Sequence, residues 1–151
     1  MKKTKAIIID IDGTLADIDH RRSLLECSPK KWKEFFNQMS QDKINHWCKE
    51  LAEAMTLKGL DIILVTGRPE DYREHTIKWL NLNLFKYNNI FFRKKNDFRK
   101  DYIIKEEIYN DHIKLNYEIL FVVDDRNSVV KMWRRNGLVC LDCAGFESNS
   151  N

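Results

Sequence analysis

Two aspartates one residue apart close the apolar run in Ala6-Ile7-Ile8-Ile9-Asp10-Ile11-Asp12-Gly13-Thr14-Leu15. Ionised carboxylates are seldom buried unless they are paired or bind a metal, so Asp10 and Asp12 call for such a partner. Two further clusters, Thr66-Gly67-Arg68 and Asp124-Asp125-Arg126, also follow short apolar, β-branched runs. Several carboxylates in one cleft repel one another without a divalent cation, and oxygen donors with open positions favour Mg2+. Asp10, Asp12, Asp124 and Asp125 are therefore the candidate metal-site residues. The chemistry such a group can do is phosphoryl transfer. Asp10 would attack the phosphorus as a nucleophile and form an aspartyl-phosphate. Asp12 would protonate the leaving oxygen and then deprotonate the attacking water. The Thr66 hydroxyl and nearby backbone N–H groups would hold phosphoryl oxygens. Lys105 would supply the cation that the transferring group needs, with Lys100 as the alternative.

These groups are far apart in the chain, so the fold must gather them. Five short apolar runs read as strands: residues 5–10, 61–66, 89–93, 119–124 and 138–141. Helical stripes lie between them, with Ile44, Trp47, Leu51 and Ala54 ending near Gly59, and Val129, Val130 and Trp133 ending at Gly137. Glycine after a periodic stripe is a helix stop. Strands alternating with helices predict an α/β fold, a Rossmann-like three-layer sandwich around a central five-stranded parallel sheet. In such a sheet the three polar strand ends share one edge, where open α/β sheets bind ligands. The longest interval between strands, residues 14–60, leaves room for a small cap insertion after strand one, a lid within about 16–58. Residues 16–30, with Pro29, read as loop and the rest as one or two helices. Residues 1–146 form one domain, with a polar tail over 147–151.

Composition narrows the class. With 43% hydrophobic and 32% charged residues, the chain reads as an ordinary globular domain. No stretch reaches transmembrane length, and the apolar run before Asp10 is too short for a secretion signal, so a cytoplasmic location is expected. The densest basic cluster, Arg93-Lys94-Lys95 with Arg99-Lys100, reads as a solvated loop that could also meet strand phosphates. Asp101, Glu106 and Glu107 read as exposed helix charges. Of the four cysteines, Cys140 and Cys143 have CxxC spacing, but one such pair without a second is a weak zinc signal. His20, His46, His75 and His112 show no ligand spacing.

The segments Asp10-Ile11-Asp12-Gly13-Thr14, Leu64-Val65-Thr66-Gly67-Arg68, Lys105 and Val122-Val123-Asp124-Asp125 resemble, in order, the four motifs of the haloacid dehalogenase-like (HAD) phosphohydrolases. Residues 99–108 and 124–135 are similar to the 3′-phosphatase domain of phage-type polynucleotide kinase/phosphatases. That resemblance implies a HAD-like fold and makes Arg21 and Arg68 substrate contacts; Thr66, Gly67 and Arg126, beside the same strand ends, are further substrate-binding candidates. It also implies that Mg2+ is held by Asp10, Asp124 and the backbone oxygen of Asp12. Taken alone, Asp124-Asp125 reads equally as a turn with a helix N-cap, and Arg21 and Arg68 as surface ion pairs.

Two departures from the family pattern stand out. Thr66 replaces the usual Ser and keeps the hydroxyl, and the lid segment differs. No GxxxxGK[ST] phosphate loop occurs in the sequence, so these residues carry no kinase site. The implied substrate is a 3′-phosphate at a nucleic-acid end or on a nucleotide. The competing readings are a small-molecule phosphatase and a non-catalytic phosphate-binding partner of a separate kinase or ligase.

Overall fold

The computed structural model describes residues 2–144; the expected polar tail lies outside them. Strand β1 (Thr4–Ile9) is the centre of a five-stranded sheet with β4 (Asp61–Pro69), β5 (Asn89–Arg93), β6 (Tyr117–Asp124) and β7 (Cys140–Asp142), in the order β5-β4-β1-β6-β7. Every pairing in this sheet is parallel. All five expected strands are present, and β4 and β6 are longer than their apolar runs. β4 extends through Gly67 and Arg68 to Pro69, with a register shift against β5 between Val65 and Pro69.

The period of two along β1 divides the core. Ile7 and Ile9 point to one face of the sheet, Ala6 and Ile8 to the other, and all four are buried. Helix α2 (His46–Leu57) and helix α3 (Arg73–Leu82) cover the first face, through Cys48, Ala52, Trp79 and Leu80. Helix α4 (Asp101–Ile108) and helix α5 (Asn127–Arg135) cover the second, through Ile104, Ile108, Val129 and Trp133. Both glycine stops hold: beyond Gly59, Leu60 N–H donates to the Met55 carbonyl (3.0 Å), and beyond Gly137, Leu138 N–H donates to that of Trp133 (3.2 Å), which satisfies carbonyls the helix end leaves open.

The insertion is built rather than loose. Strand β2 (Ala16–Asp17) pairs antiparallel with β3 (Lys43–Ile44) and closes its stem. Between them lie a 3-10 helix (Asp19–Leu25), helix α1 (Trp32–Asn37) and a 3-10 turn (Met39–Gln41). The expected loop over 16–30 is thus mostly strand and 3-10 helix. Its order comes from tertiary contacts, with Ala16, Ile18, Phe35 and Ile44 buried in the first core. The expected lid range also narrows, because α2 packs in the core and the cap ends at β3. Among the described residues no helix is long and apolar enough to cross a membrane.

Candidate active site

The chain leaves β1 towards β4 on one side of the sheet, while β6 flanks β1 on the other. The crevice at the C-terminal ends of these strands is the switch point where α/β sheets take ligands. A cleft of about 900 Å³ opens there, with Asp10, Asp12, Gly67, Asp124, Asp125 and Arg126 among its lining residues. The three polar strand ends do converge.

Asp10 is anchored by its backbone, its N–H donating to the Val123 carbonyl at 3.1 Å. Lys105 Nζ donates to Asp10 Oδ1 (2.7 Å) and to Asp124 Oδ2 (3.1 Å). The Lys105 side chain is buried, so α4 delivers the cation and Lys100 is not needed for it. The Thr14 hydroxyl sits 3.1 Å from Asp10 Oδ2 and 3.3 Å from Asp125 Oδ1. Asp124 is fixed by the Trp133 indole N–H (3.2 Å) and by the Asp125 backbone N–H (2.8 Å).

One lysine does not balance three carboxylates. Burial, with the neighbouring Asp124 charge, pushes Asp10 well above the usual carboxylate range despite Lys105. Burial and Asp124 raise Asp125 to about 6. Burial works against the charge on Lys105, yet Asp10 and Asp124 outweigh it and hold its pKa above that of an ordinary lysine. Oxygens of Asp10, Asp124 and Asp125 lie within 4.8 Å of one another. Hard oxygen donors short of positive charge suit a divalent cation such as Mg2+. The Asp12 carboxylate stands outside this cluster.

Asp12 belongs to a different network. Arg68 Nη2 donates to its Oδ1 at 2.6 Å and Arg21 Nη2 at 2.7 Å. Burial would raise its pKa, but Arg68 and then Arg21 outweigh that and hold it at about 2. Both guanidiniums are fully buried, so neither is the surface ion pair that Arg21 and Arg68 suggest when taken alone. Neither lines the cleft, although Asp12, which both grip, does. Arg21 donates to both Asp42 oxygens and to the Phe35 carbonyl, with the Phe35 ring 4.0 Å below it. Arg68 donates to the Thr76 hydroxyl (3.0 Å) and approaches Asp42 at 3.4 Å. The two arginines therefore position Asp12. Thr66 is likewise buried, its hydroxyl accepting the Arg68 N–H at 3.1 Å.

Two glycines make room for acids. A Cβ on Gly13, whose φ is +86°, would lie 2.1 Å from Asp125 Oδ2, and one on Gly67 would lie 2.0 Å from Asp101 Oδ1. Asp101 is not the exposed helix charge expected of it. It pairs with Arg93 (2.8 Å) and Arg126 (3.6 Å), and Lys105, Arg126 and Arg93 outweigh its burial to lower its pKa. Nor is residue 93 in a solvated run. Arg93 donates to the carbonyls of Gly67 (2.9 Å) and Asp97 (3.0 Å), tying the β5–α4 loop to the site.

Asp42, Arg93 and Asp101 are thus the site residues that sequence reasoning missed. Asp101 carried a signal, since it stands one helical turn before Lys105 and shares its face. Asp42 carried none, because its partners come from distant segments. All four cysteines are free thiols, and among the described residues Asp10, Asp124 and Asp125 form the one metal-type cluster.

A family model for the polynucleotide kinase PNKP phosphatase domain matches residues 4–146. The chain belongs to that family. It is a HAD-type phosphatase domain by this membership. A chain in the structure of a Pnkp1/Rnl/Hen1 complex superposes with a TM-score of 0.85 at 32% identity, over 98% of this chain and 48% of that one. A protein of Autographa californica nuclear polyhedrosis virus, assigned as a bifunctional polynucleotide kinase/RNA ligase, is 28% identical over 88% of this chain and 18% of its own length. The chain therefore spans half or less of these relatives. The class C acid phosphatase of Bacillus anthracis, solved with tungstate, shares the fold at 17% identity with a TM-score of 0.68 over 95% of this chain and 68% of its own.

Proposed function

We propose that this domain is a Mg2+-dependent phosphomonoesterase that removes 3′-phosphates from polynucleotide ends through an aspartyl-phosphate on Asp10. One observation carries the reading. Asp10 lies on the floor of an open cleft with Lys105 2.7 Å away, while two buried guanidiniums hold Asp12 ionised beside it.

Asp10, Asp124 and Asp125 would hold Mg2+, with the Asp12 backbone oxygen. The ion supplies the positive charge that lets a carboxylate approach a phosphate. Everything else falls to the chain. Asp10 attacks phosphorus with a carboxylate oxygen, and the bond from phosphorus to the 3′ oxygen breaks. Lys105 offsets the charge that spreads over the transferring group.

Asp12 handles the proton. At a pKa of about 2 it is a carboxylate in the free enzyme. A phosphate monoester has a second pKa of about 6, so a bound monoanion brings both a proton and negative charge. That charge raises Asp12, which takes the proton and passes it to the leaving 3′ oxygen. Asp12 is then the base that draws a proton from the water attacking the acyl phosphate, returning Asp10 and free phosphate. The Gly67 backbone and Arg126 line the cleft and are the proposed phosphate contacts; Thr66 acts from below, its hydroxyl holding the Arg68 N–H at the end of β4.

The assay is a substrate panel with Mg2+ and with EDTA. It contains 3′-phosphorylated DNA and RNA oligonucleotides, nucleoside 3′- and 5′-monophosphates and sugar phosphates. Metal-dependent release of phosphate fastest from the oligonucleotides is the expected result. A preference for mononucleotides or sugar phosphates overturns the polynucleotide assignment. The viral relative's assignment as a kinase/ligase further supports a kinase or ligase working beside this domain, which co-purification from the source cell tests.

A further inference from the structure

Catalysis uses the floor of the cleft and leaves its walls unexplained. One wall is a row of aromatic rings. Trp32, at the start of α1 and 42% exposed, stacks on Phe36 with centroids 5.8 Å apart and planes at 23°. Phe36 lies 4.9 Å from Tyr72 with planes at 31°, so the row passes from the cap to the body of the domain. Phe35 braces it from behind, edge-on to Trp32 (88°) and to Phe36 (70°), and is itself clamped over Arg21.

Such a row costs something to leave open, since stacked rings beside water are apolar area that folding has not buried. Its surroundings say what covers it. All three rings line the same cleft as Asp10 and Asp125, so a substrate whose phosphate sits at Asp10 can extend onto them. Lys30 Nζ sits 5.7 Å from the Trp32 ring. Lys94, Lys100 and Phe98, the last 89% exposed, line the same cleft from the β5–α4 loop. Among the described residues neither lysine joins an ion pair. Aromatic rings, lysines and a carboxylate cluster suited to phosphate chemistry in one cleft match a nucleotide unit attached to more backbone. A small phosphorylated metabolite would reach the floor alone.

We infer that the Trp32–Phe36–Tyr72 row is a stacking platform for the 3′-terminal nucleobase, which must be unpaired to lie on it, so that the site selects single-stranded 3′ ends. This rests on the polynucleotide reading above. A base in a blunt duplex is already stacked and paired, and would have to leave the helix to reach the row. Stacking of one base on an aromatic side chain is worth roughly tenfold or more in binding and tolerates any base.

The test pairs the enzyme and substrate changes. The substrates are an oligonucleotide ending in a normal nucleoside 3′-phosphate, the same strand ending in an abasic deoxyribose 3′-phosphate, a blunt duplex and glycerol 2-phosphate. The enzymes are wild type, Trp32→Ala and Trp32→Phe. In wild type, kcat/KM is expected to favour the base-bearing single strand over the abasic one by about tenfold, equivalent to 1.4 kcal/mol. The duplex should be slower by a similar factor. Trp32→Ala should bring the base-to-abasic ratio towards one, and Trp32→Phe, which keeps a ring, should retain most of it. Because the readout is a ratio, a partial folding defect cancels. A wild-type ratio near one, or a ratio unmoved by Trp32→Ala, overturns the platform while leaving the phosphatase assignment standing. Hydrolysis of glycerol 2-phosphate without hydrolysis of any oligonucleotide overturns the polynucleotide reading instead.

Discussion

Replacing Asp42 by Asn probes how the cap is tied to the chemistry. The Asp42 side chain is fully buried and accepts from Arg21 Nε (2.8 Å), Arg21 Nη2 (2.6 Å) and His20 Nε2 (2.7 Å), with Arg68 Nη2 at 3.4 Å. With Asp12 it makes two anions for two guanidiniums; the Asn variant leaves one. Removing one partner of a buried ion pair costs about 3–5 kcal/mol. Asn keeps a carbonyl acceptor, which places the loss near the lower end of that range. For a domain of this size each kcal/mol lowers Tm by about 2–4 °C, so a fall of roughly 6–12 °C is expected in calorimetry.

A second effect follows from charge. With Asp42 neutral, both arginines act on Asp12 alone and depress its pKa further. Each unit makes protonation of Asp12 harder by about 1.4 kcal/mol, so kcat for a 3′-phosphorylated oligonucleotide should fall about tenfold, with KM moving less. A Tm within about 2 °C of wild type would show that the buried contacts contribute nothing. A lowered Tm with unchanged kcat would show that the network holds the cap but does not govern Asp12.

Lys105→Met should be destabilised by about 3–5 kcal/mol because Asp10 and Asp124 lose their buried counter-charge, and saturating Mg2+ should restore more stability to it than to wild type; equal Mg2+ effects in denaturant titrations count against a shared site. Gly13→Ala meets both a left-handed backbone and Asp125, so it should cost about 1 kcal/mol or more and raise the Mg2+ concentration at half-maximal activity; an unchanged Mg2+ profile would separate Asp125 from the metal. Asp12 has a folded pKa of about 2 against an ordinary 3.8. A depressed carboxyl contributes stability that is full above the unfolded value and is lost as pH falls through the folded one, here about 2 kcal/mol. Urea unfolding of wild type and Asp12→Asn between pH 5 and pH 2 should therefore converge at the acid end, and parallel curves would contradict the assignment.

How much of this was legible in the sequence depended on the range of the signal. The strand runs around Ile8, Leu64 and Val122 and the glycine stops at Gly59 and Gly137 are local patterns, and they located the sheet and the flanking helices. The convergence of Asp10, Asp12 and Asp124 follows from the shared edge of a parallel sheet, while Lys105 comes from helix α4 and was placed by the order of the motifs. The burial of Arg21 and Arg68 did not follow, because nothing local shows that Asp12 and Asp42 lie against them. Asp101 looked like surface charge because nothing local shows that Gly67 lies against it. Residues 16–30 of the cap read as loop for a related reason: the short strand and 3-10 helix there have weak periodicity and are ordered by the Arg21–Asp42 pair and the Phe35 ring, contacts between segments that no local pattern announces.

The central claim is that Asp10 is the nucleophile towards a nucleic-acid 3′-phosphate, and trapping the intermediate tests it most directly. The wild-type domain is mixed in excess with an oligonucleotide carrying a radiolabelled 3′-phosphate, quenched in acid within one turnover and digested. The label is expected as an acid-stable, base-labile acyl phosphate on the peptide containing Asp10, and to be absent from Asp10→Asn. Release of labelled phosphate at the normal rate by Asp10→Asn, or a label mapped to another residue, would contradict the account.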